Sequence, residues 1–221
     1  MTTVYFIRHA ESDTTVRDGR IRPLTQKGLV SRVVVTDFLQ DKRIDVLFSS
    51  PFKRAVDTIS HFAEKKGLPI SMVEDFREQK SSSDMRRDHP DFRSFLERQW
   101  SDFDYTYSDG ECLRDVQTRN IAALSNILCE YDGKNIAIGT HGTALSTIIQ
   151  YYDVRYTFKD FLEMEHKLPW AVRMLFEHYV CVGINKIDLC QEQSEYSFSP
   201  VYRAASKSNA KNACAEHSYN A

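Results

Sequence analysis

The fold of this chain is decided by residues 4–12, which read Val4-Tyr5-Phe6-Ile7-Arg8-His9-Ala10-Glu11-Ser12. The first four residues are β-branched or aromatic and predict a buried strand. Arg8 and His9 follow at the exit of that strand, which is where open α/β sheets place their ligand crevices. A cation and an imidazole at a buried position need partners. The pair therefore indicates a site for an anionic ligand, and a surface salt bridge at a strand end is the alternative interpretation.

Two later segments repeat the order of strand, sharp turn and helix. Residues 46–48 are apolar and precede the turn sequence 49–55, and residues 135–139 precede the turn sequence 140–143. In each segment a short apolar run leads into small or turn-forming residues and then into a helical pattern. Three strand ends of the predicted sheet therefore bring together the polar residues Arg8, His9, Arg54 and His141.

Six motifs occur in a fixed order along the chain. They are RHAES (8–12), PLTQKG (23–28), SSPFKRAVDT (49–58), FREQ (76–79), GECLRDVQTR (110–119) and THG (140–142). With these motifs in this order, the sequence resembles the histidine phosphatase superfamily, in the branch typified by cofactor-dependent phosphoglycerate mutases and small phosphatases. The resemblance covers residues 2–190, and the order of the motifs is more specific than any one of them.

The pattern of strands and helices predicts the fold class. Strands that alternate with helices indicate an α/β fold, a three-layer α/β/α sandwich whose central sheet is mainly parallel and carries an inserted helical or loop lid. Helices are expected over 27–39, 54–66, 112–130 and 143–151, a strand over 70–73, and a closing hairpin over 171–176 and 179–187. We expect one domain over residues 1–202 with the lid at about 79–110, and a disordered tail over 203–221.

Composition excludes several classes of function. A formal net charge of -2 and a sequence pI of 6.4 argue against a nucleic-acid partner, because phosphate backbones bind basic surfaces. Residues 1–7 lack the basic start of a signal peptide and no apolar run could span a bilayer, so we expect a cytoplasmic protein without a membrane partner. Five cysteines without C-x-x-C spacing predict reduced thiols. The remaining histidines lack the spacing of metal ligands, so no metal is expected; they are His61, His89, His166, His178 and His217. No organic cofactor is expected either.

The convergent residues suit phosphoryl transfer. Transfer from a monoester needs a nucleophile in line with the leaving oxygen and positive charge around the equatorial oxygens. His9 is the predicted nucleophile, which forms a phosphohistidine. Arg8 and Arg54 are expected to hold nonbridging oxygens, and His141 to donate a further hydrogen bond as an imidazolium beside the phosphoryl dianion. Lys53 is the alternative to Arg54, and a structural role in the core is the alternative for His141.

A leaving alkoxide also needs a proton donor. Glu78 matches the proton donor that the family carries after its third strand, and Glu74 and Asp75 are the competing carboxylates. Relatives often follow this glutamate with glycine and a second acidic residue, whereas residues 79–83 supply neither. Glu78 is therefore the predicted general acid, with two neighbours left as alternatives.

Smaller contributions are expected from residues around the cleft. Ser12 and Thr15 offer hydroxyl donors to the phosphoryl group, with a turn or cap role as the alternative for Ser12. Gly142 lets its backbone N–H approach an oxyanion at a helix N-terminus. Thr25 is expected to cap the helix that begins at Lys27 rather than to bind substrate.

The segment Gly110-Glu111-Cys112 resembles a Gly-Glu-Ser of the family, with cysteine in place of serine. We assign it a structural role rather than a catalytic one. In this interpretation Glu111 caps the following helix and Arg119 forms an ion pair.

Together these features predict a phosphomonoesterase of the histidine acid phosphatase type that acts on small phosphorylated metabolites. One alternative is a 2,3-bisphosphoglycerate-dependent phosphoglycerate mutase, which uses the same His9 chemistry. Residues 80–87 lack the segment with which mutase relatives hold the substrate carboxylate, and this favours the phosphatase. A non-catalytic phospho-ligand binding module is the second alternative, and the set of His9, Arg54 and His141 argues against it because binding needs no nucleophile.

Overall fold

The computed structural model describes residues 1–85 and 87–189, and beyond them the backbone of residues 194–197. Within this described part, seven strands form one sheet: β1 (Thr2–Arg8), β2 (Val46–Ser49), β3 (Ile70–Met72), β4 (Asn135–Thr140), β5 (Trp170–Glu177), β6 (Val180–Asp188) and β7 (Ser194–Ser197). The helices are α1 (Gln26–Leu39), α2 (Lys53–Lys66), α3 (Phe92–Ser101), α4 (Leu113–Glu130), α5 (Gly142–Tyr152) and α6 (Phe158–Glu165). The predicted tail over 203–221 lies outside the described residues.

The sheet has the order β3-β2-β4-β1-β5-β6-β7. Strands β1 to β4 run parallel, whereas β5, β6 and β7 add to β1 in antiparallel pairings. The predicted hairpin is thus confirmed as β5 and β6. The parallel half carries four strand ends at one edge, and this is the edge that matters for function.

Side chains of β1 alternate between the two faces of the sheet, as the period of a strand requires. Val4 and Phe6 lie in a core cluster with residues of α4, α5 and α6, whereas Tyr5 and Ile7 lie in a second cluster with residues of α1 and α2. Helices therefore cover both faces of the sheet. The three-layer α/β/α sandwich predicted from the sequence is confirmed.

The insertion between β3 and α4 is anchored to the larger core cluster. Residues 79–110 contain α3, and Met85, Phe95 and Leu96 from this insertion are buried in that cluster. At its base the Glu111 carboxylate binds Arg77 at 2.5 Å and Arg119 at 3.1 Å. The insertion is therefore fixed to the sandwich by apolar burial and by a shared carboxylate.

Two structural expectations are wrong. The residue that caps α4 is Cys112, whose sulfur accepts from the Asp115 N–H at 3.4 Å, so Glu111 forms ion pairs instead of a cap. Cys129 is disulfide-bonded, whereas Cys112 and Cys181 are free thiols, so the cysteines are not all reduced. In the described part of the chain, no helix has the length and hydropathy of a membrane span.

A close backbone approach fixes the connection between β1 and α1. Thr25 caps α1 as predicted, since its hydroxyl oxygen accepts from the Gly28 N–H at 3.0 Å, while the Thr25 N–H donates to the Glu11 carbonyl. A Cβ added to Gly28 would lie 2.1 Å from that Glu11 oxygen. Only a glycine therefore fits where this helix crosses the chain that leaves β1.

We expect Gly28→Ala to lower the free energy of unfolding by an amount near the upper end of the roughly 1–3 kcal/mol that overpacking costs. Chemical denaturation measures the difference. Val30→Ala is the matched control, because Val30 lies on the same helix but is 72% exposed. Equal denaturation midpoints for Gly28→Ala and the wild type would show that the connection is not as tight as described.

Candidate active site

The site forms where three parallel strands end side by side. The sheet register pairs Arg8 of β1 with Thr140 of β4, and Ser49 of β2 with Gly139 of β4. Just beyond the strands, the His9 N–H donates to the Thr140 carbonyl at 3.0 Å. The backbone thus places the residues that follow β1, β2 and β4 next to one another, as the sequence predicted.

His9 is buried, and its hydrogen bonds fix its tautomer. Nδ1 lies 2.7 Å from the Ala10 carbonyl oxygen. A carbonyl only accepts, so Nδ1 carries the proton and Nε2 keeps its lone pair. Burial lowers the pKa of His9 well below its ordinary value, and the charges of Arg54 and Arg8 lower it further. The ring is therefore a neutral base with a free Nε2.

His141 is fully buried beside His9. Its ring centroid lies 5.3 Å from that of His9, and its Nε2 lies 2.7 Å from the Ser50 hydroxyl oxygen. Burial, followed by the charge of Arg54, lowers the pKa of His141 well below its ordinary value. In the unliganded chain the ring is therefore neutral, because desolvation and a nearby cation both disfavour the charged form. The imidazolium expected beside a bound dianion stays a prediction.

One guanidinium nitrogen of Arg8 is held by the chain that ends α6. Nη1 donates to the carbonyl oxygens of Met164 at 2.6 Å, Glu165 at 3.1 Å and Lys167 at 3.2 Å. Nε is buried without a partner among the described residues, and a Cβ added to Gly142 would lie 3.3 Å from it. Burial lowers the pKa of Arg8 to about 10. The Nη1 of Arg8 is thus held by backbone carbonyl groups, whereas its Nε is an unsatisfied donor beside the start of α5.

Arg54 lies in the first turn of α2, and it is the buried member of the Lys53 and Arg54 pair. Its Nη1 donates to the Gly19 carbonyl at 2.6 Å, and its guanidinium lies 5.1 Å from the ring centroid of Phe52. Burial lowers its pKa to about 10, although the charge of Glu78 opposes that shift. Lys53 is instead half-exposed and pairs with Asp57.

Glu78 sits against the N-terminus of α5. Its carboxylate accepts from the N–H groups of Thr143 and Ala144, each at 3.2 Å, which are among the amides that a helix leaves unpaired at its start. The two competing carboxylates, Glu74 and Asp75, are half-exposed to solvent. Glu74 pairs with Arg20, and the side chains of Glu74 and Asp75 are both 52% exposed.

The weaker sequence predictions have mixed outcomes. Ser12 forms an isolated bridge with Leu24, so its backbone has a structural role. The Thr15 hydroxyl is exposed and donates to the Asp13 carboxylate at 2.6 Å, so the structure does not direct it to the histidines. Gly142 is the first residue of α5 and lies under the Arg8 guanidinium, next to the predicted site.

Two residues near the histidines were missed by the sequence reasoning. Ser50 lies within a motif, but nothing in the sequence shows that its hydroxyl contacts His141. Arg22 comes from an irregular loop and lowers the pKa of His9 and of Arg54 by its charge, while its Nε donates to the Val16 carbonyl at 2.8 Å. Among the described residues, no cluster of three acidic, histidine or cysteine side chains could hold a metal ion.

The chain is similar to several known proteins. A curated relative, "Uncharacterized phosphatase PhoE" of Bacillus subtilis (strain 168), is 28% identical over 155 residues, which are 67% of this chain and 76% of the relative. Among solved structures, Bacillus stearothermophilus YhfR has a TM-score of 0.66 at 20% identity, covering 90% of this chain and 97% of that chain. A phosphoserine phosphatase mutant from Entamoeba histolytica in complex with phosphoserine has a TM-score of 0.65 at 20% identity, covering 83% of this chain and 96% of that chain.

The structural matches lie below 25% identity and establish the fold alone. The family follows from the sequence, since the family model for the histidine phosphatase superfamily (branch 1) matches residues 4–180. That range contains every residue of the site described above. This chain therefore belongs to branch 1 of the histidine phosphatase superfamily.

Proposed function

We propose that this chain is a phosphomonoesterase that hydrolyses small phosphorylated metabolites through a phosphohistidine on His9. The carrying observation is the tautomer of His9, whose Nδ1 donates to the Ala10 carbonyl and leaves Nε2 free to attack phosphorus. Phosphatases among the relatives support the reaction class. One structural neighbour is named as a phosphoserine phosphatase and another as a mycobacterial glucosyl-3-phosphoglycerate phosphatase, and these names support a small phosphorylated substrate.

In the first step His9 Nε2 forms a bond to phosphorus while the bond from phosphorus to the leaving oxygen breaks. The unpartnered donor of Arg8 and the cation of Arg54 stabilise the charge on the equatorial oxygens. Glu78, in its protonated form, gives its proton to the leaving oxygen. The product alcohol leaves, and the enzyme holds a phosphohistidine and a Glu78 carboxylate.

In the second step a water molecule attacks the phosphohistidine. Glu78 takes the proton from that water, a bond forms between phosphorus and the water oxygen, and the bond from phosphorus to Nε2 breaks. Inorganic phosphate leaves, and His9 returns to its neutral tautomer with the proton on Nδ1. One carboxylate therefore serves as acid in the first step and as base in the second.

The mutase and the binding module remain the competing functions. A mutase must hold a substrate carboxylate, and Arg87 of the insertion pairs instead with Glu165 at 3.3 Å. Hydrolysis of p-nitrophenyl phosphate without 2,3-bisphosphoglycerate is expected for a phosphatase, dependence on that compound for a mutase, and no turnover for a binding module.

The cytoplasmic location predicted from the sequence stays a prediction. The disulfide at Cys129 weighs against it, because disulfides are rare in the cytoplasm.

We expect His9→Ala to reduce hydrolysis of p-nitrophenyl phosphate to the limit of detection while phosphate still binds, because the two arginines stay in place. Labelling by a phosphoryl donor that is acid-labile and base-stable should disappear as well. His178→Asn is the control, since its side chain is 83% exposed in the turn after β5. Wild-type turnover in His9→Ala would refute the proposed nucleophile.

The pKa shift of His9 predicts a pH dependence with a definite sign. Protonation of Nε2 removes the nucleophile, and burial holds the pKa below the ordinary 6.5. His9 therefore stays neutral as the pH falls through 6.5 and is lost as a nucleophile only at lower pH. NMR titration of the His9 ring in the unliganded protein measures this directly. Arg54→Gln should raise the pKa of His9, and an unchanged titration in that variant would exclude the proposed charge effect.

The role of Glu78 can be tested with the leaving group. Nitrophenolate leaves without a proton, whereas an alkoxide needs one, so Glu78→Gln should slow hydrolysis of alkyl phosphates far more than of aryl phosphates. A general acid contributes about 10²–10⁴-fold, which sets the expected gap. The isosteric control is Glu74→Gln, because that carboxylate pairs with Arg20 at the surface. Equal, small losses on both substrate types would remove Glu78 from the mechanism.

A further inference from the structure

Ser50 is fully buried in the turn that follows β2, and its hydroxyl has two contacts. Its oxygen accepts from the Phe52 N–H at 3.2 Å and lies 2.7 Å from His141 Nε2. The backbone of Ser50 is also fixed, because its N–H donates to the Gly139 carbonyl at 2.8 Å and its carbonyl accepts from the Ser49 hydroxyl at 2.8 Å. The position of this hydroxyl is therefore set by the edge of the sheet.

The two contacts favour one position for the proton, because a buried hydroxyl that accepted from both groups would leave its own proton without an acceptor. The Phe52 N–H can only donate, so it cannot accept the proton of the Ser50 hydroxyl. Among the described residues, the acceptor within hydrogen-bond distance of that hydroxyl is His141 Nε2. If Ser50 donates to Nε2, the neutral His141 ring must carry its own proton on Nδ1.

The second ring nitrogen of His141, Nδ1, faces no protein partner among the described residues. This atom is buried, and its ring lies 5.3 Å from that of His9. A buried N–H without a partner is costly, and beside His9 a phosphoryl oxygen of the substrate would complete the bond. In the opposite tautomer, Nδ1 would present a lone pair to an anionic ligand, which would repel it.

We propose that Ser50 is a positioning residue for His141, whose hydroxyl donates to Nε2 and thereby directs an N–H from Nδ1 toward the phosphoryl oxygens. The inference deepens the proposed function and rests on it for the identity of the ligand. It also replaces the imidazolium expected from the sequence with a neutral donor. The site then stabilises phosphoryl charge through His141 without the cost of a third buried cation beside Arg8 and Arg54.

The first test uses the wild-type protein without ligand and needs no activity. Long-range ¹⁵N–¹H correlation spectra distinguish a protonated ring nitrogen from a bare one, and His141 is assigned by the loss of its signals in His141→Gln. We expect a protonated Nδ1 and a bare Nε2. A proton on Nε2 would overturn the inference while leaving the phosphatase assignment intact. Absence of phosphatase activity would overturn the phosphatase assignment while leaving the tautomer of His141 as inferred.

The second test removes the hydroxyl and compares it with a neighbour. Ser50→Ala should leave His141 as a mixture of its two neutral tautomers, of which only the one with the proton on Nδ1 can donate to phosphate. The kcat/KM for p-nitrophenyl phosphate and the affinity for inorganic phosphate should therefore fall by about 2–10-fold, which is the reciprocal of the fraction in that tautomer. Ser49→Ala is the matched control, because Ser49 is equally buried but donates to the Ser50 carbonyl rather than to His141. Ser49→Ala should keep the wild-type ¹⁵N pattern.

Ser50→Thr completes the set, since it returns the hydroxyl. It should restore the Nδ1 proton and most of the phosphate affinity. A purely structural role for Ser50 would lower stability without changing the tautomer, so Ser50→Ala with the wild-type ¹⁵N pattern would overturn the inference. Where Ser50→Ala does not fold, the wild-type spectrum alone decides the outcome.

Discussion

The structure depends on the parallel register of β1, β4 and β2. This pairing makes the His9 N–H donate to Thr140 and the Ser50 N–H donate to Gly139, so that the chain leaves three strands at one level. A shift of one residue in any of these strands would turn its side chains to the opposite face and separate the two histidines. Apolar burial on both faces of the sheet fixes that register.

Burial then sets the electrostatics of the site. The same desolvation that lowers the pKa of Arg8 and Arg54 also keeps His9 and His141 neutral, and the two arginines reinforce the effect on the imidazoles. Each arginine has Nη1 bound to backbone carbonyl groups, in α6 and its following turn for Arg8 and at Gly19 for Arg54. The positive charge is therefore held in place before any ligand arrives, which is the condition for electrostatic stabilisation without reorganisation.

Helix α5 links the remaining parts of the site. Its N-terminal amides hold the Glu78 carboxylate, and its first residue, Gly142, leaves the space that the Arg8 guanidinium occupies. The helix begins directly after His141, so one short turn orders an imidazole, a carboxylate and a guanidinium at once. The proposed acid, Arg8 and His141 thus meet at the start of α5, whereas Arg54 comes from α2.

The sequence by itself determined the sandwich, the family and the convergence of Arg8, His9, Arg54 and His141, because strand periodicity and ordered motifs are local properties of the chain. It left open whether Glu78 or a neighbouring carboxylate faces the site, and it was wrong about the cysteines. These depend on burial and on partners distant in sequence, as for the disulfide at Cys129. The contact between Ser50 and His141 joins residues 91 positions apart, so only the tertiary structure could decide it.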